Sequence, residues 1–392
     1  MYIQRWLAGP AKQAAREFPA VLVTGPRQAG KTTFLQNEFP DAAYVTFDDP
    51  AVRQLATVDP VAFLNQFGSR TVILDEVQYV PTLFSYLKMR IDQDRRRSGA
   101  WLMTGSQQFG MMRDIADSLA GRIAILEILP FHTGEIFDMA WSIEDCLWRG
   151  GYPEIVLNPS IRDRWLPSYV QTYLERDVRQ VLSIQDLTLF QTFLGLTAAR
   201  HAQELNLAAL SRQCGVSQPT ARRWLSVLTA SIILFPLPPY ARNLGKRLVK
   251  SPKVYFLDPA LAAYLTRQPD PASLFAGAMG GAFFEGFIVA ETHKILVSRG
   301  FSENLSFWRS HDGLEIDLII EQDGVVYPVE IKKTSTPTAL HAGGLRRFTE
   351  LHGGSIQMGT PRVVCTAVQK QLLPGGVEAM PWQEFLTWAG KR

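Results

Sequence analysis

The sequence is poor in cysteine and has no long apolar run. Its three cysteines, Cys146, Cys214 and Cys365, are odd in number and far apart, so they fit neither a disulfide framework nor a zinc site. No apolar stretch reaches the ~18 residues that a membrane span needs, and the first residues lack the apolar core of a signal peptide. We therefore expect a protein of the reducing cytoplasm with no membrane partner.

The net charge is small, but the charges are unevenly distributed along the chain. The total is +3 over 392 residues, a length sufficient for two or three domains. Residues 151–270 carry 14 Lys or Arg against eight Asp or Glu, whereas the segments before and after are slightly acidic. A polyanion such as DNA would therefore contact the middle of the chain.

The first third contains a phosphate-binding motif. The stretch AVLVTGPRQAGKTT places a predicted strand before a glycine-rich turn and a helix, and it matches G-x-x-x-x-G-K-[ST]. Such a turn lets backbone N–H groups close on phosphate oxygens, while the lysine reaches the β- and γ-phosphates and the next hydroxyl binds Mg²⁺. We expect ATP and Mg²⁺ as cofactors. The predicted nucleotide-binding residues are Gly25, Pro26, Arg27, Gln28, Ala29, Gly30, Lys31, Thr32 and Thr33, with Thr32 also a magnesium ligand.

Two further strand ends support this interpretation. In TVILDEVQ, a predicted buried strand ends in Asp75, which suits a magnesium ligand, and Glu76, which suits a base that activates water. Two solvated acids at a strand end are the alternative. The strand in AWLMTGSQ ends in Thr104 and Ser106, whose hydroxyls would contact the γ-phosphate or the attacking water, or would only cap the strand.

Together, the motifs GPRQAGKT, VILDE, LMTGSQ and SLAGR followed by LPF resemble those of AAA+ ATPases. More narrowly, they resemble a bacterial and archaeal group of these ATPases with a C-terminal domain of unknown function. In AAA+ proteins an arginine from one subunit completes the ATP site of its neighbour. The resemblance implies ATP hydrolysis, a homo-oligomer and Arg122 as the arginine finger. A salt bridge within one subunit is the alternative for Arg122.

The middle third is predicted to be helical and basic. Apolar residues recur every three or four positions before residue 200, and LNLAALSRQCGVSQPTARRWLSVLTA then shows helix-turn-helix spacing, with Arg222 and Arg223 pointing outward. A basic stretch follows, in which Lys246, Arg247 and Lys250 would contact phosphates as part of a wing. No set of Asn or Gln is placed to read bases, so we expect weakly sequence-specific DNA binding. A winged helix that packs against protein is the alternative.

The last third contains a predicted amphipathic helix over residues 281–299 and the hairpin EIDLIIEQDGVVYPVEIKK. The order of predicted helices and strands resembles the restriction-endonuclease-like PD-(D/E)xK core. By that resemblance, Asp317, Glu330 and Lys332 form the motif and Glu285 is the acid of the preceding helix. Asp317, Glu330 and Glu285 would hold Mg²⁺ against a phosphate, and Lys332 would orient the attacking water. The alternative is a salt-bridged cluster in a domain that binds without cutting.

These features predict an α/β fold with four parts. We expect a P-loop AAA+ parallel-sheet core at 1–140, a helical lid-like region at 141–200, a winged helix-turn-helix at 201–272 and an endonuclease-like domain at 273–392. The leading hypothesis is ATP hydrolysis coupled to DNA binding or remodelling, with or without DNA cleavage. A nucleotide-gated switch with a protein partner is the main alternative. A kinase-like phosphotransferase is a third, disfavoured because Glu76 follows Asp75.

Overall fold

The computed structural model describes residues 1–105, 115, 118–174, 187–240, 251–301, 304–310 and 312–391, with the backbone alone at 173 and 174. Its architecture is α/β, as predicted, with a parallel five-stranded sheet in the first third and a separate sheet near the C-terminal end. In the described ranges, no helix is long and apolar enough to cross a membrane.

The first sheet has the strand order β2-β3-β4-β1-β5, and every pair in it is parallel. Strands β1, β3 and β4 are buried along their whole length, as expected for a parallel sheet covered on both faces. All five carboxyl ends lie at one edge, where the predicted nucleotide motifs meet. The strands are β1 (Ala20–Thr24), β2 (Ala43–Thr46), β3 (Val72–Asp75), β4 (Trp101–Thr104) and β5 (Ile123–Glu127), and the helices α1 (Ala8–Glu17), α2 (Lys31–Glu38), α3 (Pro50–Val58), α4 (Pro60–Asn65) and α5 (Leu83–Gln93).

The middle of the chain is helical before a small sheet forms. Ser142 and Asp145 make a capping box at the start of α6, and Gly150, with a positive φ of 67°, follows its end. Four helices are described here, with a π-helical turn, Val170–Leu174, after the third. They are α6 (Ile143–Arg149), α7 (Pro153–Leu157), α8 (Arg162–Tyr169) and α9 (Leu187–Ala198).

The next unit, residues 201–272, is the one predicted to be a winged helix, and we call it the winged-helix unit. The side chains of Asn206 and Ser217 accept hydrogen bonds from backbone N–H groups and so start two consecutive helices. An antiparallel sheet of order β6-β8-β7 lies beside them. The elements are α10 (Leu207–Gln213), α11 (Gln218–Ala230), β6 (Gln203–Glu204), β7 (Leu234–Leu237), β8 (Lys253–Phe256), α12 (Pro259–Leu265) and α13 (Pro271–Ala276).

The last unit is built around helix α14 (Gly280–Ser298) and a seven-stranded sheet. A helix was predicted here and forms, but the prediction that it is amphipathic is wrong. Of its 19 residues, 15 are buried, so the helix is covered on all sides. The predicted hairpin forms, with Asp323 and Gly324 both at positive φ in its turn. The sheet order is β14-β15-β13-β11-β10-β9, with β12 also paired to β11. The remaining elements are β9 (Leu305–Arg309), β10 (Glu315–Gln322), β11 (Val325–Ile331), α15 (Gly343–His352), β12 (Gln357–Met358), β13 (Arg362–Cys365), β14 (Gln371–Leu373), β15 (Val377–Pro381) and α16 (Trp382–Gly390).

The middle and last units share one apolar core. A single cluster of buried side chains includes Leu147 from the helical region, Trp224 from α11, Phe287 from α14 and Met380 from the last sheet. The first sheet instead has separate apolar clusters on its two faces. The last two-thirds of the chain therefore pack as one body, against which the parallel sheet is placed.

Candidate functional site

The glycine-rich turn adopts a conformation that requires its glycines. Gly25 has φ of 147°, and a Cβ at this position would lie 2.0 Å from the carbonyl oxygen of Ile128. Gly30 has φ of 90° just before α2 begins at Lys31. The Lys31 ammonium lies inside the turn, donating to the carbonyl oxygens of Gly25 at 3.1 Å and Pro26 at 2.9 Å. The turn therefore presents a helix N-terminus and a buried cation, as phosphate binding needs.

Asp75, at the end of β3, is the centre of a hydroxyl network. Its Oδ1 accepts hydrogen bonds from Thr32 Oγ1 at 2.7 Å and Thr104 Oγ1 at 2.5 Å, and its Oδ2 accepts one from the Tyr44 hydroxyl at 3.0 Å. Burial, reinforced by the Asp75 carboxylate, raises the pKa of Tyr44 to about 12. Thr32 and Asp75 supply the hydroxyl and carboxylate oxygens that Mg²⁺ prefers, so this pair fits a magnesium site.

Glu76 is placed next to this network by an unusual backbone conformation. It has φ of 58° and ψ of 47°, in the left-handed region that side-chain-bearing residues seldom adopt. Its backbone N–H donates to Thr104 Oγ1 at 3.0 Å, and its carboxylate accepts a hydrogen bond from Gln78. Thr104 thus connects Asp75 to Glu76. Ser106, the other predicted hydroxyl, lies outside the described residues.

Arg122 lies at the opposite edge of the sheet from the phosphate turn, just before β5. Its guanidinium makes two hydrogen bonds to Asp92, from Nε at 2.9 Å and from Nη2 at 3.0 Å. The hydrogen bonds from Arg122, with those from Arg95, lower the pKa of Asp92 to about 2. Within one chain, Arg122 is therefore used in a salt bridge, and its role as a finger in a neighbouring subunit stays a prediction.

Tyr44, Gln78 and Arg5 are residues of the ATP site that the motifs did not predict. Arg5 is buried and donates to the carbonyl oxygen of Ala29 at 3.2 Å, inside the phosphate turn. It also donates from Nε to Glu135 Oε1 at 3.0 Å. Arg5 and Tyr44 reach the site only through the tertiary fold, whereas Gln78 lies two residues after Glu76 and contacts it locally.

The second helix of the winged-helix unit exposes two of the predicted DNA contacts. Arg222 and Arg223 are both exposed, while Ala221 and Trp224 on either side of the pair face the core. Gln218, at the start of the same helix, is also exposed and was not predicted. The predicted wing residues Lys246, Arg247 and Lys250 lie outside the described residues.

The structure brings the four endonuclease-motif residues together. Lys332 Nζ lies 2.6 Å from Glu330 Oε1 and 3.4 Å from Asp317 Oδ2, and Asp317 Oδ2 also accepts from the backbone N–H of Ile331 at 2.8 Å. Glu285, from α14, faces the same cluster. The hairpin thus returns Asp317 and Glu330 to one end, as its length predicts.

Lys253 also enters this cluster, and the motifs did not predict it. Its Nζ lies 2.9 Å from Glu285 Oε1 and 3.8 Å from Asp317 Oδ1, and it forms an ion pair with Glu315. The Tyr255 hydroxyl donates to the same Glu285 oxygen at 2.7 Å. A lysine from the winged-helix unit therefore lies among the carboxylates of the C-terminal unit.

The electrostatics of the cluster reflect burial of like charges. Burial, and then repulsion from Asp317, raises the pKa of Glu285 and of Glu330 well above the usual range. Burial opposes the charged form of Lys253 and Lys332, but the surrounding carboxylates outweigh it and raise the pKa of both ammonium groups. Within the described residues, no three His, Cys, Asp or Glu side chains are arranged to hold a metal ion. The carboxylates here do not fit a divalent cation as they are placed.

Three family models match successive parts of the chain. One described as an AAA domain matches residues 17–137. Two described as domains of unknown function follow, DUF8612 over residues 140–272 and DUF4143 over residues 280–385. The first match agrees with the parallel sheet and the phosphate turn, and together they identify an ATPase domain of the AAA type.

Related proteins match over most of the chain. The uncharacterized protein Rv2008c of Mycobacterium tuberculosis is 34% identical over 340 residues, which cover 86% of this chain and 75% of that protein. The uncharacterized protein MJ1544 of Methanocaldococcus jannaschii is 22% identical over 335 residues, covering 76% and 71%. The solved Walker-type ATPase PABY2304 of Pyrococcus abyssi superimposes with a TM-score of 0.46 at 14% identity, covering 66% of this chain and 94% of that one. The chain therefore belongs to the protein family of Rv2008c, with an AAA-type P-loop ATPase domain in its first third.

Proposed function

We propose that the protein is a Mg²⁺-dependent ATPase whose nucleotide cycle is coupled to binding or remodelling of DNA with weak sequence specificity. In this proposal, residues 25–33 bind ATP, while Thr32 and Asp75 hold magnesium. Glu76 activates the attacking water. Arg122 of a neighbouring subunit completes the site in a homo-oligomer.

The observation that carries the DNA part of the proposal is the exposed face of α11. Arg222 and Arg223 are exposed on it, and the helix sequence QPTARRWLSVLTA contains no acidic residue. It is the second helix of a helix-turn-helix, the one that such units place in a major groove. Two exposed guanidinium groups with no acidic neighbour on the helix suit contacts to phosphate.

A short chain of contacts joins the ATP site to the winged helix. Pro153, at the start of α7, lies beside the phosphate turn, because a Cβ on Gly30 would be 3.8 Å from its Cγ. Two residues earlier, the backbone N–H of Gly151 donates to Asp258 Oδ2 at 2.8 Å. Asp258 caps α12, directly after β8 of the winged-helix unit. A shift of the turn on hydrolysis would therefore reach the DNA-contacting unit through residues 151–153.

The proposal is tested by ATP hydrolysis with and without linear, single-stranded and four-way DNA, at low and moderate salt. We expect DNA to stimulate turnover, with stimulation lost as salt rises. The double variant Arg222→Ala/Arg223→Ala should weaken DNA binding and reduce the slope of log affinity against log salt by about 2. Its matched control is Arg346→Ala/Arg347→Ala, which removes another exposed arginine pair, on α15.

Two outcomes would contradict the proposal. If no DNA changes the rate of ATP hydrolysis, DNA takes no part in the nucleotide cycle. If both double variants weaken DNA binding equally, α11 is not the DNA-contacting helix. The same reactions run on a gel address cleavage. Nicking that Asp317→Ala abolishes would make the C-terminal cluster an active site, whereas stimulated turnover without nicking would leave that cluster without a role in cleavage.

A specific observation favours the alternative of a nucleotide-gated switch that binds a protein partner. A cleft of about 820 Å³ lies between the segment after β5 and helix α16, lined by the aromatic residues Trp6, Phe137, Trp141 and Trp382. Phe137 is 74% exposed. Aromatic side chains at the surface are typical of partner-binding sites. This alternative would be supported by ATP turnover that DNA does not change, together with a protein partner that is recovered in only one nucleotide state.

A further inference from the structure

Lys253 crosses from one unit of the protein into the carboxylate cluster of another. It begins β8 of the winged-helix sheet, and its side chain is only 5% exposed. Its ammonium contacts Glu285 on α14 and both Glu315 and Asp317 on β10. Three carboxylates from two elements of the C-terminal unit therefore converge on a single cation supplied by its neighbour.

The position of Lys253 is determined by how the two units pack. Tyr255 lies two residues further along β8, so both side chains point to the same face and both reach Glu285. The winged-helix unit is also hydrogen-bonded to β9, through Phe307 N to Pro238 O at 3.0 Å and Tyr240 N to Phe307 O at 2.5 Å. Because β9 is the neighbour of β10, the ammonium is held where Asp317 faces α14.

This ammonium and a divalent cation need the same oxygens. A divalent cation held by Asp317 and Glu285 would need carboxylate oxygens that Lys253 already contacts, since its Nζ lies 3.8 Å from Asp317 Oδ1 and 2.9 Å from Glu285 Oε1. Two positive charges so close repel strongly in a buried site. Meanwhile Glu330 Oε2 is buried with no hydrogen-bond partner among the described residues, so one carboxylate oxygen of the cluster is unused.

We propose that Lys253 is an internal counter-cation that occupies the place of a divalent metal in the C-terminal cluster and keeps such a metal out. The inference rests on the cluster that resembles an endonuclease motif, and not on the proposed ATP hydrolysis or DNA binding.

The test is Mn²⁺ binding to the full chain without nucleotide or DNA, followed by electron paramagnetic resonance. The variants are Lys253→Met, which keeps the side-chain length but not the charge, and Lys253→Met/Asp317→Asn. We expect Lys253→Met to gain a Mn²⁺ site at least about tenfold tighter than any site in the wild type. The added Asp317→Asn change should abolish it, which assigns the new site to the cluster rather than to the ATP site.

Either of two results would overturn the inference. One is a wild-type Mn²⁺ site that Asp317→Asn alone removes, because Lys253 would then not exclude metal. The other is a folded Lys253→Met chain with no gain. Should removal of the buried cation loosen the fold, the melting temperature gives the same answer: Mn²⁺ must raise it in Lys253→Met and leave the wild type unchanged. An ATPase that ignores DNA would refute the proposed function and leave these results untouched.

Discussion

Replacing Thr104 by valine should uncouple ATP binding from ATP hydrolysis. The side chain is fully buried, and its hydroxyl donates to Asp75 and accepts from the backbone N–H of Glu76. Valine has nearly the same shape, so Thr104→Val removes two hydrogen bonds and little volume. The bond to the Asp75 carboxylate is charge-assisted and contributes about 1.5–3 kcal/mol, and a buried Glu76 N–H left without a partner costs about 1–3 kcal/mol more.

The first of these losses falls on the carboxylate that we assign to magnesium. If it acts on the transition state, kcat should fall about 10- to 100-fold, because 1.36 kcal/mol corresponds to a factor of ten. Thr104→Ser keeps the hydroxyl and should stay within about threefold of the wild type. In the structure Thr104 bonds to the protein rather than lining the phosphate turn, so we expect the Kd for ATP to change little in either variant.

The assay is steady-state hydrolysis at saturating Mg²⁺, with ATP binding measured separately and folding checked by circular dichroism. A folded Thr104→Val chain with wild-type kcat would refute the assignment of Thr104 as the link between Asp75 and Glu76. Equal losses in Thr104→Ser and Thr104→Val would show that the methyl packing, and not the hydroxyl, matters. Loss of ATP affinity in parallel with kcat would instead support direct contact with the nucleotide.

Three other predictions concern the base, the finger and a buried histidine. Glu76→Gln should bind ATP normally but trap it unhydrolysed, and unimpaired turnover would refute the base assignment. Arg122→Ala should lose ATP turnover and keep ATP affinity. Mixing it with Lys31→Ala should restore part of the activity, since one variant supplies an intact ATP site and the other an intact arginine finger. Unchanged turnover in Arg122→Ala would leave the arginine a purely structural role. Burial lowers the pKa of His201 to about 4, so its contribution to stability is present above pH 6.5 and is lost as the pH falls towards 4. His201→Asn keeps an acceptor for the backbone N–H of Phe256. Between pH 7 and pH 5, the free energy of unfolding measured in urea should therefore fall by about 2 kcal/mol more in the wild type than in the variant. Equal decreases in the two proteins would contradict this.

The strand–turn–helix arrangement of the phosphate-binding motif could be predicted from the sequence because its parts are local. A strand, a glycine-rich turn and a helix follow one another in the chain, and the ends of β1, β3 and β4 must meet at one edge if the sheet is parallel. Tyr44 could not be predicted in the same way. It belongs to β2, and only the sheet order places that strand beside β3 and its Asp75.

The C-terminal cluster shows where prediction from sequence stops. Asp317, Glu330 and Lys332 lie on one hairpin, so their spacing alone brings them together. Lys253 is more than 60 residues away from Asp317 and belongs to a basic stretch that suggests phosphate contacts. Its burial depends on the packing of two units, and such packing produces no repeating pattern in the sequence. The same packing covers the outer side of α14, where an amphipathic helix was expected.

The shared core of the middle and last units bears on how this chain can be divided. Two family models meet between residues 272 and 280, which suggests separable modules. Yet a fragment ending there would expose the apolar partners of Phe287 and remove the carboxylates that contact Lys253. A chain divided at this point would therefore expose apolar surface on both pieces, so we expect the middle and last units to fold stably only together.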